Sequence, residues 1–166
     1  MCRGEQGMKI GIISDSHGDN NAVEKAVKLM AGVDAIIHLG DYAKDGKYIR
    51  KLHPGQLYVV SGNCDFFTDA GTPSELVLEM EGKKVFVTHG HKYRVKDGLN
   101  TLYYRGLELD ADIVLFGHTH SSQIVKVEGM ILLNPGSVSR PRNTKRPTYG
   151  IIEISKGNIK PEIKEF

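Results

Sequence analysis

Three short apolar runs, separated by two helix-like stretches, set the strongest limit on what this chain can fold into. MKIGIIS (Met8–Ser14) reads as a strand. In NNAVEKAVKLMAG, Ala22, Val23, Ala26, Val27 and Met30 fall at helical spacing and Gly32 acts as a stop. VDAIIHLGD is a second strand, KDGKYIRKLH a short helix ending before Pro54, and QLYVVSGN a third strand. Strands joined through helices pair in parallel by right-handed crossovers, so this opening predicts a βαβαβ unit.

The rhythm then changes. SELVLEMEGKKVFVTHG reads as a hairpin turning at EGK, and GLNTLYYRGLEL as a helix leading into the strand of DADIVLFGHTH. SQIVKVEGMILLN and TYGIIEISKGNIKPEI are further hairpins, turning at Glu128-Gly129 and Lys156-Gly157. The second half is therefore expected to be strand-rich and antiparallel. No linker, internal repeat or low-complexity segment interrupts it, so residues 8–166 are expected to form one domain. Residues 1–7 (MCRGEQG) read as a tail or a non-native start. A chain of 166 residues can bury about 70 % of the surface its unfolded form exposes, enough for a core without disulfides.

Composition narrows the class of function. The formal net charge is only +2 and no contiguous Lys/Arg block stands out, which argues against a nucleic-acid groove driven by bulk charge. The two cysteines, Cys2 and Cys64, offer neither a disulfide framework nor a CxxC zinc pattern, so a cytoplasmic location is expected. No apolar run reaches the length of a membrane span, so no membrane partner is expected.

Residues capable of chemistry gather at the ends of the apolar runs. These strand ends deliver Asp15-x-His17, Gly40-Asp41, Gly62-Asn63-Cys64-Asp65, His89-Gly90-His91 and Gly117-His118-Thr119-His120. In open α/β sheets, ligands bind at the carboxyl ends of strands, so these side chains are expected in one region. Asp15/His17 and His118/His120 are i, i+2 pairs, which point the same way in extended backbone. Gly40, Gly62, Gly90 and Gly117 would permit close backbone approach or positive φ. The set is nitrogen and oxygen with no obligatory thiolate, suited to Mn, Fe, Co, Ni or Zn. It exceeds the needs of one tetrahedral ion, so two metals sharing a carboxylate is the natural assignment.

The blocks DSH, GD, GNCD, GH and GHTH, in this order from about Ile10 to Ser139, resemble the five motifs of the calcineurin-like metallophosphoesterases. The size of the chain, the GNCD variant and NPGS (Asn134–Ser137) are similar to the small stand-alone phosphodiesterases of the YfcE type. The resemblance implies an α/β fold: a four-layer β-sandwich of mixed sheets flanked by helices. It implies that Asp15, His17 and His120 hold one divalent ion, Asn63, His89 and His118 another, and that Asp41 bridges them. Manganese is the first expectation, with Ni, Fe, Co or Zn as alternatives. Two divalent ions offset by two aspartates and a bridging hydroxide leave net positive charge, which attracts a phosphate oxyanion and presents a nucleophile. The activity implied is hydrolysis of a small phosphate ester, a diester first. A scaffold without strong catalysis is the alternative, since a eukaryotic retromer subunit resembles the same fold. Where many members have GNH, this chain has Cys64 followed by Asp65. Cys64, Asp65 and His91 are the candidate catalytic residues. Beside two cations the Cys64 thiol is expected to ionise and be unable to donate a proton.

Other polar residues read as structural. His38, inside AIIHLG, is expected to be buried and hydrogen-bonded, His53 to lie in a surface loop, Arg140 and Arg142 to be solvated, and Tyr103-Tyr104 to serve core and helix face. A homo-oligomer is compatible with the sequence.

Overall fold

A computed structural model describes residues 7–65 and 71–166. Residues 1–6, most of the expected tail, lie outside the described residues, as does the segment immediately after Asp65. Among the described residues no helix is long and apolar enough to cross a membrane.

Two five-stranded sheets face each other. The first has the order β10-β9-β1-β2-β3. It comprises β1 (Met8–Ile13), β2 (Ala35–His38), β3 (Gln56–Val59), β9 (Thr148–Ser155) and β10 (Asn158–Glu165). As expected, β1 runs parallel to β2, and β2 to β3. The β9–β10 hairpin then adds antiparallel to the free side of β1. The second sheet has the order β4-β5-β6-β8-β7. Its strands are β4 (Glu75–Met80), β5 (Lys83–Thr88), β6 (Ile113–Leu115), β7 (Gln123–Val127) and β8 (Met130–Asn134).

Here the antiparallel expectation needs correction. The hairpins β4–β5 and β7–β8 are antiparallel, but β5 pairs parallel to β6, and β6 parallel to β8. The reason is two-sided burial. Consecutive residues Val85, Phe86 and Val87, and likewise Ile113, Val114 and Leu115, are all buried, the mark of a central parallel strand covered on both faces.

The layers explain that burial. Ile12, Ile37, Leu39 and Val60 of the first sheet meet Val85, Val87, Leu115 and Leu133 of the second between the sheets. Helices α1 (Asn20–Leu29) and α2 (Asp45–Leu52) cover the outer face of the first sheet, where Val23, Ala26, Val27 and Ile49 pack on Ile13 and Ile36. Helix α3 (Asn100–Glu108) covers the second sheet, with Leu102 against Phe86, Val114 and Phe116. The result is a four-layer α/β/β/α sandwich, the mixed-sheet fold that the motifs imply. All three hairpins turn at a residue-Gly pair with positive φ at both positions, Glu81-Gly82, Glu128-Gly129 and Lys156-Gly157, matching the right-handed twist of their strands.

Candidate metal centre

The carboxyl ends of β1, β2, β5 and β6 converge, and with them their terminal polar residues. Two groups of side chains offer ligand atoms within 4.8 Å of one another: Asp15, His17, Asp41 and His120, and Asp41, His89 and His118. Asp41 belongs to both. Its Oδ1 lies 3.4 Å from His89 Nε2, and its Oδ2 lies 3.9 Å from His17 Nε2. Asp15 Oδ1 stands 3.2 Å from His120 Nε2 and 3.9 Å from His89 Nε2. His17 and His120 approach with their Nε2 atoms 3.2 Å apart, and His118 Nδ1 is 3.2 Å from His89 Nε2.

Convergence is achieved differently from the expectation for extended strand ends. Asp15, His17, Asp41, His118 and His120 all have positive φ, between 48° and 70°. Tight left-handed turns, which Asp and His tolerate better than most residues, curl each strand end back over the sheet. Main-chain bonds tie these turns together. Asp15 N donates to Gly40 O (3.0 Å), His17 N to Asp41 O (3.3 Å) and Gly117 N to His89 O (2.9 Å). The glycines serve both expected purposes. Gly40 and Gly90 have φ of 97° and 104°, while a Cβ at Gly117 would fall 2.9 Å from Asp15 Oδ2.

The protonation pattern defines the chemistry. His89 Nδ1 donates to Leu39 O (2.7 Å) and His120 Nδ1 to Arg140 O (2.9 Å). A carbonyl can only accept, so in the neutral rings both Nε2 atoms present lone pairs toward Asp15 and Asp41. Asp15 Oδ1 is buried and has no hydrogen-bond partner among the described residues. Acceptors that face acceptors in a buried site need a cation between them, and this nitrogen and oxygen set fits a divalent metal. Protons can supply the same balance. Burial opposes charging of His89, yet Asp41 and Asp15 raise its pKa; the adjacent Asp15 carboxylate raises that of His120. Despite the opposing effect of burial, Asp15 is held low by His120, His89 and Ser14, and Asp41 by His89 and Cys64. Burial and the neighbouring His89 push His118 down to about 4.

The remaining candidates lie at the rim. Asn63 and Cys64 open a short 3₁₀ turn, Asn63–Asp65, and both are exposed. Asn63 Nδ2 points to Cys64 Sγ at 3.7 Å, and Cys64 N donates to Asp41 Oδ1 (3.0 Å), which places the turn against the cluster. Burial first, and then the carboxylates of Asp41, Asp65 and Asp15, push the Cys64 thiol up to about 11. Carboxylates are the charges around this thiol; the ionisation expected of it belongs to the metal-loaded site. Asp65 is buried and accepts main-chain bonds at both oxygens: Tyr42 N and Ala43 N at Oδ1, and Gly62 N at Oδ2, each 2.8 Å. It ties the turn after β2 to the turn after β3. His91 comes directly after Gly90, with its ring centroid 5.5 Å from His89 and 6.1 Å from His118, and its Nδ1 is buried without a partner among the described residues.

His38 is buried as expected. Its Nδ1 accepts from Gly40 N (3.0 Å), which leaves Nε2–H to donate to Ser16 Oγ (3.0 Å), so it joins the first two strand ends. His53 corrects the surface-loop expectation: it is only 8 % exposed, because Gly55 closes over the ring after Pro54. Tyr103 packs against the α3 core while Tyr104 is exposed.

A further group of supporting residues was absent from the reading of strand ends. Ser137 Oγ donates to Asp15 O (2.9 Å) and accepts from Ser139 N (3.2 Å) and Arg140 N (2.8 Å). Ser139 Oγ also donates to Asp15 O (3.0 Å). Asn134 Nδ2 reaches Gly117 O (3.0 Å) and Thr119 Oγ1 (2.9 Å), while its Oδ1 accepts from Gly136 N (2.9 Å). The signal was present, because β8 is one more apolar strand ending in polar residues, NPGS.

Comparison with known proteins agrees with this geometry. The sequence pattern of the calcineurin-like phosphoesterase superfamily domain matches residues 8–157. The chain is 38 % identical over 148 residues to a probable metallophosphoesterase, YsnB, of Bacillus subtilis (strain 168), covering 89 % of this chain and 85 % of that one. It is 28 % identical over 169 residues to the phosphodiesterase YfcE of Escherichia coli (strain K12), covering 88 % of each. In three dimensions it matches the crystal structure of a conserved uncharacterized protein from Streptococcus pneumoniae TIGR4, described as a predicted phosphoesterase. That match has a TM-score of 0.81 and 35 % identity, and covers 99 % of this chain and 91 % of the other. A match spanning most of the sequence, together with strand ends that gather Asp and His as the motifs require, makes this chain a member of the calcineurin-like phosphoesterase superfamily.

Proposed function

We propose that the protein is a dinuclear metal-dependent phosphoesterase acting on small phosphate esters, diesters in preference to monoesters. The observation that carries this reading is Asp41, whose two carboxylate oxygens face the two ligand groups separately. Asp15, His17 and His120 would hold one ion, and Asn63, His89 and His118 the other, with Asp41 between them. Two divalent ions, manganese first among the candidates, supply positive charge for a phosphate oxyanion and a nucleophile drawn from water at neutral pH.

The chain's own residues prepare that chemistry. Leu39 O and Arg140 O orient the rings of His89 and His120 through their Nδ1–H groups. Asp65 acts as a positioning residue, holding Tyr42, Ala43 and Gly62 so that Asp41 and the Asn63 turn keep their places. Cys64, at the rim, stands where many relatives carry a histidine. A diester monoanion depends less than a monoester dianion on the cationic contact such a histidine provides, which favours diesters. His91 is the nearby candidate to donate a proton to a leaving group. The name of the YfcE relative, a phosphodiesterase, supports the same preference. The cysteine usage of the chain is consistent with a reducing, cytoplasmic setting.

The test is metal-stripped protein reloaded with single divalent ions and assayed on a panel of aryl mono- and diesters. Crystals of the loaded protein should give two anomalous peaks about 3.5–4 Å apart. A single tetrahedral site, or loaded protein that hydrolyses none of the panel, refutes the reading.

A further inference from the structure

Beside the metal centre lies an open cleft of about 530 Å³. One wall is a stripe of α2 and its first turn, Lys44, Lys47, Tyr48 and Lys51, with the buried Asp45 also in the lining. The opposite wall is Gly18 and Asn20, where α1 begins. The lining includes Gly18 and Tyr42, the sequence neighbours of His17 and Asp41, which places the cleft next to two of the ligand turns.

Two features distinguish this stripe from an ordinary solvated helix face. The first is unpaired charge in a concave place. Among the described residues, Lys47 and Lys51 have no acidic partner, although lysines at i, i+4 repel each other. Three lysines against the single carboxylate of Asp45 leave the cleft net positive, and a concave surface of net positive charge focuses its field on an anion. The second is an anchored cation. Lys44 Nζ sits 4.1 Å from the centroid of the Tyr42 ring, a cation–π contact that holds the ammonium in position. Tyr42 itself has φ 91°, rare for a bulky residue, and is kept there by the bond from its N–H to Asp65. Its ring needs a glycine opposite, because a Cβ at Gly18 would lie 2.7 Å from its Cε1. The helical interval from Lys44 to Lys51 extends the positive stripe by about 10 Å along α2. Spaced by the helix period, these lysines never form a contiguous block in the sequence.

We infer that this cleft is a second anion subsite, which receives a phosphate group carried by the substrate beyond the scissile one. The inference rests on the phosphoesterase reading. It narrows the substrate class to phosphate esters of phosphorylated alcohols, such as nucleotides bearing a second phosphate.

The probes are the 5′-(p-nitrophenyl) ester of thymidine 5′-phosphate with a 3′-phosphate and its 3′-hydroxyl counterpart, assayed beside bis(p-nitrophenyl) phosphate on metal-loaded protein. The wild type should favour the 3′-phosphate by about 10-fold in kcat/KM, carried by KM. The Lys47→Gln/Lys51→Gln variant should lose that gain and retain its turnover of bis(p-nitrophenyl) phosphate. Calorimetric binding of thymidine 3′,5′-bisphosphate gives a readout independent of turnover, and should weaken by about the same factor in the variant. Equal rates for the two thymidine esters, or a gain that survives both substitutions, overturns the subsite. If none of the three esters is hydrolysed, the phosphoesterase reading fails and calorimetry alone decides: a loss in the variant upholds the subsite and equal binding overturns it. Extending the 3′-phosphate into an oligothymidylate separates sources of the group. A further rise in kcat/KM assigns it to a nucleic-acid strand, and no rise to a small nucleotide.

Discussion

Ser137→Ala is the perturbation that tests how the centre is held together. The Ser137 side chain is completely buried, and its hydroxyl makes three bonds, one given to Asp15 O and two received from Ser139 N and Arg140 N. Alanine removes all three. Asp15 O keeps its bond from Ser139 Oγ, so the acceptor is still met, but two main-chain donors lose their partner. An unmet buried donor costs about 1–3 kcal/mol. Ser139 is half-buried and Arg140 exposed, so water can reach part of this loop, and the net loss should be about 2 kcal/mol. For a chain of this length that corresponds to a fall in Tm of about 4–8 °C. The same loop carries Arg140 O, which orients His120, so metal affinity should fall by about 10-fold or more. Thermal denaturation monitored by circular dichroism, and metal titration by calorimetry, measure the two effects. Ser139→Ala is the control and should cost less than about 1 kcal/mol, because Ser137 still serves Asp15. A Ser137→Ala protein with wild-type Tm and wild-type metal affinity would refute the idea that this loop holds the centre.

Other substitutions probe the remaining assignments. Asp41→Asn should lose both metals and nearly all turnover, whereas His17→Ala should retain one ion; metal analysis of both variants decides, and two tightly held ions in Asp41→Asn would rule out a bridge. Cys64→His should raise kcat/KM for an aryl monoester relative to the matched diester, by up to about 10²-fold if the new imidazole acts as a positioned acid; an unchanged ratio would count against the place given to that position. His53 makes a pH prediction: burial, then the nearby Arg50, lowers its folded pKa below the ordinary value. The unfolded chain therefore binds the proton more readily, so this contribution is full above the unfolded pKa, near 6.5, and is lost as pH falls below it. His53→Gln should flatten the decline of unfolding free energy as pH falls below about 6.5; a slope identical to wild type would contradict the effect of burial.

The sequence was most informative where period and punctuation agreed. Strands β1 to β3 and helices α1 and α2 could be read because apolar spacing switches cleanly between the two periods, with Gly32 and Pro54 as stops. The residue-Gly turns located all three hairpins. The pairing partners of β5, β6 and β8 could not be read, because three or four consecutive apolar residues look alike in any buried strand, and only the pairing in the folded sheet shows that they run parallel. At the centre, the side chains that gather are those whose motif spacing marked them: Asp15, His17, Asp41, His89, His118 and His120. The backbone that gathers them was misjudged, since i, i+2 spacing suggests an extended chain and the turns are left-handed. NPGS marked Asn134 and Ser137 as another polar strand end, but their roles went unassigned because the main-chain groups they serve lie over a hundred residues away or across neighbouring turns.

The left-handed turns also bear on how this protein would respond to selection. Each non-glycine residue at positive φ is less stable there than glycine by about 1 kcal/mol, and five of the gathered side chains occupy such positions. Glycine at any of them would relax the backbone and remove an acceptor from a crowded cluster of acceptors. A library screened for heat resistance without metal would therefore enrich glycine at residues 15, 17, 41, 118 and 120, and its most robust survivors would be the least able to bind an ion. Directed evolution of this scaffold needs metal present at every round, so that binding to the folded state restores the advantage of the strained sequence.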